Sequence, residues 1–172
     1  SKEYASDAIR LVFGNAESFL ANDETANINM MRAANLAGKA INIAQTTAGH
    51  AMAYKLTSKY RIAHGHAVAL CVDTLFPYLA KHVHQCTDAR GEEYLESTLF
   101  ELARTMGCAT PREAAHVFAS FLSNMGLGSI IASKEDISEL SATVNPERLT
   151  NFPIALSSRE IEELYRSIVS VR

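Results

Sequence analysis

The chain has 172 residues, 48% of them hydrophobic and 20% charged, the balance of an ordinary globular domain that buries roughly 70% of its unfolded surface. A net charge of −3 argues against nucleic acid as a partner, because a phosphate-binding face needs clustered Lys and Arg. No apolar run approaches the ~18 residues of a membrane-spanning helix, and Ser1-Lys2-Glu3-Tyr4 does not read as the start of a secretory signal.

Helical periodicity dominates. Residues 6–20 repeat apolar side chains at Ile9, Val12, Phe13, Ala16 and Leu20, one stripe at spacings of three and four. Asn22-Asp23 then supplies a stop and a new cap. A second helix is predicted over 24–43, with Ala33, Ala34, Ala37, Gly38 and Ala40 allowing close approach of neighbours; it reads as central and mostly buried. A third covers 47–58, and a fourth begins near His64 and runs towards His84. Gly91 opens a polar stretch into a helix over 94–106 that ends on Gly107.

Thr110-Pro111-Arg112-Glu113 combines a capping box with Pro at the first helical position, and a helix over 114–122 follows. Residues 124–128 form a loop, Ser133-Lys134-Glu135-Asp136 starts a short helix, and Pro146 and Pro153 interrupt what comes next. Ser157-Ser158-Arg159-Glu160 caps the last helix, with a stripe of Ile161, Leu164, Tyr165 and Ile168. The expectation is an all-α single domain of eight or nine helices, without an alternating strand and without a Gly-rich nucleotide loop of its own. Cys71, Cys86 and Cys108 form no CxxC pair, so idle thiols in a reducing, cytoplasmic compartment are expected.

The chemistry concentrates between Gly49 and Leu70. His50 and His64 are 14 residues apart; on one continuous helix they would stand ~21 Å apart, too far for a common ion. Residues 59–63 look like a turn, which would let two helices fold back and bring both imidazoles together. Spacing alone leaves two readings open: a metal-binding pair, or one buried and one capping histidine without relation. His82 and His84, two apart on a predicted helix, point away from one another and are not expected to share a metal. His116 is expected to be a packed or half-exposed helix residue, and Glu92, Glu93 and Glu96 a solvated face.

Gly49-His50-Ala51-Met52-Ala53 followed by His64-Gly65 resembles the two histidine regions of the iron-containing (group III) alcohol dehydrogenases, and Ala37-Gly38 with Asn42 resembles the helix before the first ligand. The resemblance covers the whole chain as the helical C-terminal domain of that family. It implies His50 and His64 as ligands of Fe(II) or Zn(II), an NAD(P)-binding N-terminal domain that lies outside this chain, and a small alcohol or aldehyde as substrate. The cation would act as a Lewis acid, and homo-oligomerisation stays open. An aspartate and a third histidine four residues later complete the family's site, but Asp7 is followed by Leu11 and Asp23 by Asn27. Those ligands are therefore expected upstream, and this chain alone is expected to be inactive.

Two further departures stand out. The family's proline before the second ligand is Ala63, and its frequent histidine one turn after the first is Tyr54. A phenol there can hydrogen-bond an alcohol or a water but relays protons poorly at neutral pH, and core packing explains Tyr54 equally well. The stretch Lys39 to Thr47 resembles a subgroup acting on phosphonates, the phosphonoacetaldehyde reductases, which makes Lys39, Thr46 and Thr47 candidate phosphonate contacts; a solvated helix position is the plain alternative for Lys39. His64-Gly65-His66-Ala67-Val68-Ala69 also resembles the corresponding box of 3-dehydroquinate synthases, yet Thr46 and Ala53 replace that family's histidine and glutamate. A free-standing helical interaction module with incidental histidines is the third alternative.

Overall fold

The structure is a computed structural model describing residues 1–171. Its helices are α1 (Lys2–Leu20), α2 (Glu24–Ala44), α3 (Ala48–Tyr60), α4 (His64–Lys81), α5 (Glu92–Thr105), α6 (Pro111–Asn124), α7 (Lys134–Ala142) and α8 (Ser158–Ile168). The all-α expectation holds, with one addition. Strands β1 (Ile130–Ala132) and β2 (Val169–Val171) pair in parallel, Ile130 opposite Val169. Three residues are too few for alternation to show in a sequence. None of the described helices is long and apolar enough to cross a membrane.

The chain divides into two compact units, residues 1–45 with 100–114, and residues 46–99 with those from 115 onward. In the first, Asp23 caps α2 by accepting from the Ala26 N–H at 2.8 Å. Ala26, Ala33 and Ala40, seven residues apart, are buried along one stripe of α2, and this stripe of small residues suits close packing against α1. Asn29 Nδ2 donates to Asn15 Oδ1 across the two helices at 2.9 Å. The expectation of a mostly buried α2 fails. Ile28, Met31, Ile41 and Ile43 are exposed, because the alanine stripe covers one side only and apolar composition does not say which side a neighbour occupies. The Thr110 cap is present, its Oγ1 accepting from Glu113 N at 3.1 Å.

The second unit holds a continuous core to which α3, α4, α7 and α8 contribute Met52, Leu56, Cys71, Ile137, Leu140 and Leu164 among others. The predicted stripe of α8 is buried as a set, Ile161, Leu164, Tyr165 and Ile168. Tyr165 Oη donates to the Met52 carbonyl at 2.8 Å, tying the last helix to α3. Gly49 permits the close packing of α3 on α4: a Cβ there would lie 3.1 Å from Val72 Cγ2. A three-residue turn joins these helices, with Arg61 in the left-handed region at φ 52°.

Charge ties α3 to α7. Lys59 pairs with Asp136 at 2.7 Å and with Glu139, which also takes Lys55 at 2.7 Å. The Lys59 ammonium, with the Ser133 N–H of the α7 capping box, holds the Asp136 carboxyl at about 2, below its ordinary 3.8. A depressed carboxylate stabilises the fold above its unfolded value, and that contribution is lost as pH falls towards the folded one. The urea midpoint of the wild type should therefore drop between pH 3.8 and about 2. Asp136→Asn should start lower and fall less steeply across that window; parallel curves would refute this assignment.

Candidate metal centre

Helix α3 presents His50, Tyr54 and Thr57 at positions i, i+4 and i+7, the spacing that puts side chains on one face. The turn at 61–63 returns the chain so that His64, the first residue of α4, lays its ring along that face. His64 Nε2 lies 3.3 Å from His50 Nδ1. His64 Nδ1 lies 3.2 Å from Thr57 Oγ1. The Tyr54 ring stacks on the His64 imidazole, centroids 5.2 Å apart and planes inclined by 29°. One imidazole is thus held at both nitrogens and on its face.

The geometry fits a shared ion. Two nitrogens bound to a tetrahedral cation at ~2.1 Å stand ~3.4 Å from each other, close to the observed 3.3 Å. With the Nδ1–H of His64 donating to Thr57, Nε2 carries the free lone pair, the usual outer-shell device that sets tautomer and orientation. Burial, and then the neighbouring His64, push the His50 pKa down, which keeps its ring neutral and able to coordinate near neutral pH. Among the described residues no group of three or more His, Cys, Asp or Glu side chains could hold a metal.

Tyr54 is exposed and meets a residue that the sequence did not single out. Arg148, in the 3-10 turn Pro146–Leu149, donates from Nη1 to Tyr54 Oη at 2.8 Å, and its guanidinium carbon lies 4.6 Å from the ring centroid. Thr46 and Thr47 precede α3. The Thr46 carbonyl accepts from Asn151 Nδ2 at 3.3 Å, while Thr47 is the N-cap residue but makes no side-chain cap bond. Lys39 belongs to the first unit, its ammonium 5.7 Å from the Tyr4 ring centroid. The structure therefore brings together His50, His64 and Tyr54, places both threonines within one turn of His50, and leaves Lys39 in the other unit.

The remaining histidines differ from expectation in one respect. Helix α4 ends at Lys81, so His82 and His84 are not on a common helix, and their ring centroids are 6.2 Å apart. His82 leans on Tyr78, its Nδ1 2.8 Å from the Tyr78 carbonyl. His116 is exposed, as are Glu92, Glu93 and Glu96. The cysteines are unpaired, and burial pushes the Cys71 thiol up to about 12, leaving it inert at neutral pH.

Two imidazole nitrogens 3.3 Å apart, with a hydroxyl behind one of them, make an arrangement that a metal ion can share. The chain belongs to the Fe-containing alcohol dehydrogenase family, whose C-terminal family model matches residues 2–169. It is 35% identical to the phosphonoacetaldehyde reductase of Streptomyces viridochromogenes over 138 residues, 75% of this chain and 35% of that protein. An alcohol dehydrogenase of Thermococcus barophilus is 28% identical over 96% of this chain and 43% of its own length. Among solved structures, the sulfoacetaldehyde reductase of Bifidobacterium kashiwanohense, in complex with NAD+, superposes with a TM-score of 0.83. Its identity is 23%, with 98% of this chain and 43% of that one covered. The iron-containing alcohol dehydrogenase of Thermotoga maritima gives a TM-score of 0.77 at 20% identity, over 98% and 42%. At such identities the structures establish the fold alone. The chain spans well under half the length of these relatives, and the family match favours the dehydrogenase over the dehydroquinate-synthase alternative.

Proposed function

We propose that this chain is the helical part of a metal-dependent, NAD(P)-linked alcohol dehydrogenase or aldehyde reductase, in which it supplies His50 and His64 to the metal. The observation that carries the reading is the 3.3 Å approach of the two ring nitrogens with Thr57 behind His64. The remaining ligands, an aspartate and a third histidine, and the dinucleotide site belong to the N-terminal domain that the greater length of the relatives leaves room for. Fe(II) and Zn(II) both suit imidazole with carboxylate oxygen, and the family's name points to iron. A cation held there supplies Lewis acidity to an aldehyde carbonyl, or to the corresponding alkoxide, as nicotinamide donates or accepts hydride.

The chain's own side chains have definite tasks in this scheme. Thr57 holds the proton of His64 at Nδ1, so that Nε2 faces outward. Tyr54 packs flat on His64 and fixes the plane of its ring. Because Tyr54 Oη accepts from Arg148, its own O–H is free to donate to a substrate oxygen or a water. Thr46 and Thr47 line the turn before His50. The family relatives named for aldehydes with an acidic end group, phosphonoacetaldehyde and sulfoacetaldehyde, support a small aldehyde as substrate.

The test is made on the full-length protein. It should bind about one divalent ion per chain and oxidise NAD(P)H with a short aldehyde, losing both with a chelator and regaining both with Fe(II) or Zn(II). The 172-residue chain alone should show no turnover. Turnover that survives complete metal removal would sink the proposal.

A further inference from the structure

We infer that Arg148 is an anion receptor beside the histidine pair, taking the oxyanionic end group of a short aldehyde whose carbonyl lies at His50 and His64. This rests on the reading above, that the pair faces an aldehyde, and adds what the far end of that aldehyde is. Three observations converge. Arg148 makes no ion pair with any carboxylate among the described residues. The acidic groups nearest to α3 in pairing terms, Asp136 and Glu139, are engaged by Lys55 and Lys59. Among the described residues, no carboxylate within ion-pairing distance answers the positive charge of Arg148.

The guanidinium is also fixed in place. Its carbon lies over the Tyr54 ring, 4.6 Å from the centroid, and Nη1 is bonded to Tyr54 Oη, an arrangement that removes much of the rotamer freedom a surface arginine would lose on binding. Asn151, three residues on, pins the same segment to the Thr46 carbonyl just before His50. Nη1 is committed, while Nη2 and Nε remain, and a guanidinium edge of that kind matches phosphonate, sulfonate or carboxylate oxygens in bidentate fashion.

The spacing suits a small molecule. Guanidinium and His64 both touch the Tyr54 ring, the guanidinium carbon 4.6 Å and the His64 ring centroid 5.2 Å from its centroid. That puts the charge no more than ~10 Å from the His64 ring. An aldehyde oxygen near the pair, two carbons and an anionic group, at ~1.5 Å per bond with a hydrogen bond of ~2.9 Å at the charged end, reach across a gap of this order. A neutral aldehyde would leave the guanidinium unanswered.

The experiment compares phosphonoacetaldehyde and sulfoacetaldehyde with propanal in the full-length enzyme, wild type against Arg148→Met, Arg148→Lys and Lys39→Met. Losing a charge-assisted pair should lower kcat/KM for both anionic aldehydes on the order of 10–100-fold in Arg148→Met. Propanal turnover should fall distinctly less than turnover of the two anionic aldehydes, metal content should stay as in the wild type, and Arg148→Lys should recover part of the loss. Equal losses on all three aldehydes would mean that Arg148 only props up Tyr54, and would overturn the inference. A selective loss in Lys39→Met with none in Arg148→Met would move the anion contact to Lys39 and overturn it too. Should the wild type reduce no aldehyde at all, the functional reading above fails. Calorimetry with methylphosphonate then still decides on Arg148, by binding to the wild type and not to Arg148→Met, or by no difference between them.

Discussion

Replacing His64 by alanine in the full-length protein should abolish metal binding and lower turnover on the order of a thousandfold, more than an outer-shell change does. The size follows from the geometry. His64 is one of the two proposed donors, its Nε2 3.3 Å from His50 Nδ1, and nothing else among the described residues could join His50 to make a group of three. Thr57→Val should sit between wild type and His64→Ala, with metal affinity down 10–100-fold, the usual cost of losing an outer-shell partner. The valine keeps the volume and removes the hydroxyl that meets His64 Nδ1 at 3.2 Å. Metal content by elemental analysis and NAD(P)H oxidation should fall together along this series. Full metal occupancy and normal turnover in His64→Ala would refute the pairing of the two histidines.

Leu56→Ala is the second change with a large expected effect, here on stability. Leu56 is fully buried and belongs to the continuous core of the second unit. Truncating such a side chain costs about 2–5 kcal/mol, part lost transfer energy and part cavity. At roughly 2–4 °C per kcal/mol for a chain of this size, calorimetry should show a fall in Tm of about 5–15 °C. Ser58→Ala, two residues on and exposed, should stay within about 0.5 kcal/mol. A fall of less than 1 °C for Leu56→Ala would mean that α3 is not anchored as described. The two predictions meet on one helix: α3 buries Leu56 and Met52 on its inner side and presents His50, Tyr54 and Thr57 on another.

Much of this was legible in residue order. Caps at Asp23, Thr110, Ser133 and Ser157 name their helices, because a side-chain oxygen answering orphan N–H groups is a local device. The break between His50 and His64 was legible too, since a helical stretch ending near Lys59 and a new one at His64-Gly65 leave three residues for a turn. The partners of the pair were harder. Thr57 follows His50 by seven residues, and its place on the same face becomes meaningful only once His64 is known to lie across it. Arg148 is 94 residues from Tyr54 in sequence, and nothing local announces that contact. Helix α2 misled for a different reason: its apolar side chains go all round, and burial depends on where neighbours stand, which Ile28 and Met31 cannot disclose. The helix expected to carry His82 and His84 ends at Lys81, one residue before the first and three before the second.

The hydrogen bond from Tyr165 to the Met52 carbonyl spans 113 residues, and it gives the site a place in time. Helix α8, which closes the core over α3, is made well after it in chain order. At ~5–20 residues per second, several seconds pass in which both histidines exist without the packing that aims them. On the proposed reading, the pair becomes competent to grip a cation only after α8 has been made, and an α3 still lacking that helix offers passing ions a half-built claw.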